Sequence, residues 1–381
     1  MDFNILTYLD WRGDLTFAER AFNDVDNVIL CDLAYIDFIG IIPDISAGDS
    51  ASITICAAYE KMKSSGKEIT VTKGKHFAEA YTAFLEKLAE SERFAHIKLS
   101  NFVDIHDETR QMQFAAMCMD LEDGTNYIAF RGTDQTIVGW REDFSMSFQI
   151  TQAQLEAVRY LEQVMEPDKK YRIGGHSKGG NLAVYAAMKC SDSLKDQMIT
   201  IHSNDGIGLS KEILIEEKYA QIRDKIQLIV PEFCVIGMIY ENGLKKKIVK
   251  SDAHGVLQHA AMSWQVKRDD FLTVDALHPD SGVIHGIITE WLEEMDMIER
   301  KILMGHFFDA LSAGGAKSLF DIPKGGIGSF GSVLISLARS NKEAKAISDK
   351  SAKAVRKAIK ERVQKKYFDA VRINHKTKKE E

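Results

Sequence analysis

From about residue 95 to 260, apolar runs rich in β-formers alternate with stretches of helical period, the pattern of an α/β sheet with crossover helices. The runs predict strands over 113–121, 127–131, 171–174, 198–202, 226–230 and 247–250, and helices over 152–165, 180–189 and 210–223. Between the first two strands the turn Glu122-Asp123-Gly124-Thr125 carries an Asp-Gly pair that favours a hairpin. Residues 1–94 read differently: they are helix-rich with Ser/Gly punctuation, hold no catalytic signature, and are expected to pack on the sheet or roof its site. An amphipathic helical stretch over 284–303 is followed by a Gly-rich break at Gly314-Gly315 and Gly325-Gly326-Ile327-Gly328. The expected organisation is therefore a helical part at 1–94, an α/β core at 95–310, a Gly-containing linker or helix at 311–341 and a basic helical tail at 342–381.

Composition adds limits. The chain has 381 residues, 45% hydrophobic and 28% charged, which suits a soluble globular protein with a sizeable core. No stretch approaches 18 consecutive apolar residues, and the start, Met1-Asp2-Phe3-Asn4, has neither a basic n-region nor an h-region, so a cytoplasmic location is expected. Five scattered cysteines without C-x-x-C spacing suggest reduced, buried thiols and no metal site. Net charge is −7 but unevenly spread: residues 342–381 hold 14 Lys and Arg against 6 Asp and Glu, on an acidic body.

The chemistry is concentrated at Gly175-His176-Ser177-Lys178-Gly179, a G-x-S-x-G with an apolar run before it and helix formers after it. Glycines on both sides allow a strand-to-helix corner sharp enough to hold a serine in a strained conformation with its hydroxyl presented outward. A serine hydroxyl needs a base, an acid to orient that base, and donors for a developing oxyanion. In an α/β-hydrolase layout these follow in the order Ser, acid, His. The loop after residue 250 offers two histidines, His254 and His259. The acid is Asp205, in the turn Asn204-Asp205-Gly206, or Glu232, in Val230-Pro231-Glu232; both follow predicted strands. Lys178 supplies one oxyanion N–H, and Thr133, in Phe130-Arg131-Gly132-Thr133-Asp134, supplies the second through its N–H and its hydroxyl.

Three blocks resemble the class 3, fungal-type lipase family of α/β hydrolases, and more closely an uncharacterised bacterial branch related to it. Ile128 to Asp134, with Trp140-Arg141-Glu142-Asp143-Phe144, is similar to that family's F-R-G-[ST] segment and its W-x-x-D; Gly175–Gly180 is similar to its G-H-S-x-G-G elbow; His259 with Trp264 is similar to its catalytic His followed by Trp. The resemblance implies an α/β-hydrolase fold, a mostly parallel sheet with helices on both faces and helical N-terminal and C-terminal additions. It implies Ser177 as nucleophile, His259 as general base, and Thr133 with Lys178 as oxyanion donors. One departure stands out: where those lipases carry the acid, this chain has Cys234, and a thiol cannot hold an imidazolium. An acid after the preceding strand, as in pancreatic-type lipases, favours Asp205 over Glu232. Lys178 also stands where leucine is common, putting a cation beside the nucleophile, either to receive an anionic acyl substrate or to sit in solvent.

The expected activity is a serine hydrolase cleaving carboxylic esters, lipase- or esterase-like, through an acyl-enzyme and with no cofactor. The expected partner is a small-molecule or lipid ester. The alternative, motivated by Cys234, is a non-catalytic α/β-hydrolase scaffold that binds an acyl ligand or a protein partner. In the tail, Ile347, Val355, Ile359, Val363 and Tyr367 interleave with Lys and Arg, so it is either a solvated charged helix or one that rests on an anionic membrane. Few aromatics there and an acidic body disfavour nucleic acid.

Overall fold

The computed structural model describes residues 3–48, 51–66, 68–72, 78–110, 112–133, 142–143, 145–146, 149–240 and 243–279, together with 281, 282, 285, 296, 298 and 299. The 284–303 stretch is thus described only at isolated positions, and the linker and basic tail expected over 311–381 lie outside the described residues. Met1–Leu277 forms one compact unit and the chain from His278 onward another.

Eight strands form one sheet in strict chain order: β1 (Ile53–Thr54), β2 (Lys98–Asp107), β3 (Met112–Asp120), β4 (Asn126–Phe130), β5 (Tyr171–His176), β6 (Met198–Asn204), β7 (Ile226–Pro231) and β8 (Lys246–Val249). The first four pair antiparallel and β4 to β8 pair parallel. The predicted hairpin joins β3 to β4, with Gly124 at φ 79° and the Asp123 carboxylate accepting from Thr125 N at 2.9 Å. Six strands expected from the pattern are present within a residue or two of the expected ends. The sequence reading missed β1 and β2. β2 reads Lys-Leu-Ser-Asn-Phe-Val-Asp-Ile-His-Asp, and a register shift between Ser100 and Val103 breaks the two-residue alternation that would reveal a strand.

Both faces of the sheet are buried, which is why β3 and β4 read as near-continuous apolar runs. On β3, Met117 and Met119 pack into one core while Phe114, Ala116 and Cys118 pack into the other; on β4, Tyr127 and Ala129 oppose Ile128 and Phe130 in the same way. The first core is filled by the helices of the N-terminal part, Ile5–Arg12, Asp24–Leu33, Ile55–Ser64 and Ala78–Glu90. The second is filled by Gln152–Val164, Lys178–Lys189 and Glu216–Ile222.

The helix expected over 210–223 is shortened to Glu216–Ile222. Residues 210–214 instead form a turn closed by Leu214 N on Ser210 O at 2.9 Å, seating Leu209 and Ile213 in the core, and Ile215 is extended before the helix restarts. The cysteines are free, and four are buried as expected; Cys56 is only partly buried. Among the described residues no helix is long and apolar enough to cross a membrane.

The first core also contains an ion pair. Arg93 and Asp26 are both fully buried, with Arg93 Nη2 2.6 Å and Nε 2.8 Å from the two carboxylate oxygens. The remaining guanidinium protons go to the carbonyls of Leu15, Thr16, Arg20 and Ala21, so this one side chain fixes the loop between the first two helices.

Candidate active site

At the carboxyl end of β5 the chain turns into the helix Lys178–Lys189 with Ser177 at φ 58°, ψ −126°. Positive φ is costly for a non-glycine residue, of the order of 1–3 kcal/mol, and persists only where the surroundings enforce it. Here they do: a Cβ on Gly175 would lie 2.2 Å from the Gly179 carbonyl carbon, and one on Gly179 would lie 2.1 Å from Phe130 O. Strand, helix and the end of β4 therefore approach to backbone contact. Ser177 N donates to Asn204 O at 2.9 Å, tying the corner to β6.

Asp205 follows β6 directly. It too has positive φ, 47°, its N–H bonds Ile229 O at 2.7 Å, and its side chain is 1% exposed. Oδ1 accepts from Gly237 N and from the Cys234 thiol, each at 3.0 Å. Burial first, and then the Asp205 carboxylate, push the Cys234 thiol well above its ordinary pKa, so it is a protonated donor.

Oδ2 lies 2.6 Å from His259 Nδ1, and His259 Nε2 lies 2.9 Å from Ser177 Oγ. A carboxylate only accepts, so Nδ1 carries the ring proton; the neutral ring then accepts from the Ser177 hydroxyl at Nε2. Both ring nitrogens are thereby engaged. Glu232, whose N–H continues the sheet to Val249 O, and His254, exposed at the start of the same turn, stand outside this row. The turn Gly255–His259 is fixed through Gln258: its Oε1 accepts from Phe233 N and its carbonyl from the indole of Trp264, both at 2.8 Å, and Trp264 is fully buried.

Two expectations change. The Lys178 side chain is neither beside the serine as a free cation nor in solvent: it is 1% exposed, pairs with Glu142, and donates to Gln113 O at 2.6 Å. A helix residue after a corner this tight points its stem into the protein, and Glu142 neutralises the charge. Its backbone N–H, in the first turn of the helix, lacks an intrahelical acceptor and faces outward from the N-terminus. The Thr133 hydroxyl donates its single proton to the Asp143 carboxylate at 2.5 Å, leaving only the backbone N–H for an oxyanion. Asp134, Trp140, Arg141 and Phe144 of the same block lie outside the described residues.

Sequence reasoning missed the parts that hold this row. Cys234, in the sequence a lost acid, is a donor to Asp205. His176 was read as part of the elbow motif only; its ring lies 4.6 Å from that of His259, and its Nε2 is 2.7 Å from the His259 carbonyl oxygen. Its position next to the serine was the available signal.

A mostly parallel sheet flanked by helices, with Ser, Asp and His contributed in that order after β5, β6 and β8, defines an α/β-hydrolase fold. The Mbeg1-like family model matches residues 88–309, more than half of the chain, and the protein belongs to that family. Among solved structures it is similar to several lipases. They include a lipase designated M37 (14% identity, TM-score 0.32, 44% of this chain and 65% of that one). A second is the Rhizomucor miehei lipase in complex with its propeptide (16%, 0.30, 47% and 63%). A third is a fungal lipase–inhibitor complex (14%, 0.32, 59% and 89%). The chain thus spans less than two thirds of the first two. No curated protein matches it.

Proposed function

We propose that the protein is a serine hydrolase of carboxylic esters. One observation carries this reading: a serine held at positive φ whose hydroxyl lies 2.9 Å from a histidine that a buried aspartate holds at 2.6 Å. In the reaction Ser177 Oγ attacks the ester carbonyl carbon as His259 Nε2 takes its proton. Asp205 stabilises the imidazolium that forms, and the N–H groups of Thr133 and Lys178 receive the oxyanion. His259 then gives the proton to the departing alcohol, and water, deprotonated by the same ring, releases the acid and restores the serine. None of these steps calls for a cofactor.

A fluorophosphonate probe tests the reading. The protein is expected to take one covalent adduct, and Ser177→Ala is expected to take none; an unlabelled wild-type chain would favour the scaffold alternative. The support for the acid is testable separately. Cys234→Ala removes one of two donors to Asp205 Oδ1, which at about 1 kcal/mol for such a bond lowers kcat about fivefold, while Cys234→Ser keeps a donor and stays near wild type. Steady-state hydrolysis of a p-nitrophenyl ester reads both, and equal rates for Ala and wild type would remove Cys234 from the account.

A further inference from the structure

His259 is held at its carbonyl as well as at its ring. His176 Nε2 lies 2.7 Å from His259 O, and His176 Nδ1 lies 2.8 Å from the Tyr35 hydroxyl. A carbonyl oxygen only accepts, so Nε2 of His176 carries the proton and Nδ1 of the neutral ring accepts from Tyr35. The result is a directed chain, Tyr35 O–H to His176 Nδ1 and His176 Nε2–H to His259 O, with the His176 carbonyl oxygen a second, longer acceptor 3.3 Å from the Tyr35 hydroxyl. His176 and His259 are then in opposite tautomers, with rings 4.6 Å apart and tilted by 36°.

We propose that Tyr35 is a positioning residue for the active site, acting through His176 to fix the carbonyl of His259; this rests on the hydrolase reading above. His176 is covalently next to Ser177, so the contact it makes with His259 sets the serine–imidazole separation directly, through two adjacent residues and not through the body of the protein. Without the Tyr35 hydroxyl, the His176 ring loses the bond that fixes its Nδ1 edge and is held by Nε2–H to the His259 carbonyl alone, so it can turn away from that carbonyl. With one anchor of the ring gone, the turn carrying the base is held less firmly to the elbow.

Three observations mark Tyr35 as built for this place. Its backbone is fixed on both sides, N–H to Asp32 O and carbonyl from Thr72 N, each at 3.1 Å. Gly132 makes room for it, since a Cβ there would lie 1.9 Å from the Tyr35 hydroxyl oxygen. The side chain is 1% exposed, and burial, followed by the neighbouring Asp32 and Asp143, raises its pKa well above the ordinary phenol value, so the hydroxyl keeps its proton. Tyr35 precedes residues 88–309, the span matched by the family model. The N-terminal part is thereby wired into the active site.

The test uses the full chain and Tyr35→Phe, which keeps the ring and deletes the oxygen. Expected is a fall in kcat of about tenfold with KM unchanged, and an equal fall in the rate of fluorophosphonate labelling, measured well below the melting temperature. His176→Leu is expected to fall further and His176→Gln, which restores an N–H toward His259 O, to regain part of the loss. Nitrogen NMR of the histidine rings is expected to find His176 protonated on Nε2 in both proteins, with its Nδ1 resonance shifted in Tyr35→Phe by the loss of the Tyr35 hydrogen bond. A Tyr35→Phe protein with wild-type kcat, or one that loses kcat and melting temperature while the His176 Nδ1 resonance does not move, overturns the proposal. A wild-type chain that takes no label overturns the hydrolase reading instead, and the tautomer then judges Tyr35 alone: an Nδ1-protonated His176 overturns it.

Discussion

Asp205→Asn is expected to lower kcat by about four orders of magnitude with little change in KM or in melting temperature. The size follows from which way the amide must face. Oδ1 of Asp205 accepts from Gly237 N–H and the Cys234 thiol, so an asparagine places its carbonyl oxygen there and turns its NH2 toward His259 Nδ1. Nδ1 must then accept, the ring proton moves to Nε2, and Nε2 points that proton at Ser177 Oγ instead of receiving the serine's own. The variant is folded and close to isosteric but has its base in the wrong tautomer. Steady-state kinetics on a p-nitrophenyl ester, with circular dichroism to verify folding, read the effect; activity within tenfold of wild type would mean that the row does not act as drawn.

The largest expected loss of stability comes from the buried ion pair of the first core. Asp26→Ala leaves the Arg93 guanidinium fully buried with no counter-charge, and breaking a buried pair in this way costs about 3–5 kcal/mol. The Tyr8 hydroxyl, which donates to Asp26 Oδ1 at 3.0 Å, loses its acceptor as well. For a unit of this size the melting temperature is expected to fall by about 10 °C, read by calorimetry. Removing both charges tests the cause: Asp26→Ala combined with Arg93→Met recovers much of the loss, because no uncompensated charge remains. A single variant melting within 2 °C of wild type, as about the scatter of such a scan, would show that the pair is solvated in a way the burial excludes.

Legibility in the sequence tracked the distance over which each feature is specified. The elbow was readable because its constraint is local: five residues must pass between a strand and a helix, and Gly175 and Gly179 stand where a Cβ would meet backbone. The choice between His254 and His259, or between Asp205 and Glu232, was narrowed by motif resemblance only, since each pair sits on similar loops; what separates them is which side chain reaches a particular nitrogen. The Lys178–Glu142, Arg93–Asp26 and Tyr35–His176 contacts join residues 36, 67 and 141 positions apart and leave no periodic trace. Lys178 shows the cost of reading position without packing: next to the serine in sequence, its charge is spent on a buried carboxylate. β2 was missed for a local reason, a register shift that breaks the alternation of its apolar residues.

The strand order has a bearing on how the molecule comes into being. Because neighbours in the sheet are also neighbours in the chain, from β1 through β8, every strand leaving the ribosome meets an edge completed moments earlier and has no need to wedge itself between two that are already joined. Growth by accretion at a single open border keeps loop closures short and limits the time for which any unpaired edge is offered to other chains. His259 enters after the last of these additions, so the nascent polypeptide carries Ser177 for more than eighty residues of synthesis before its histidine partner is made.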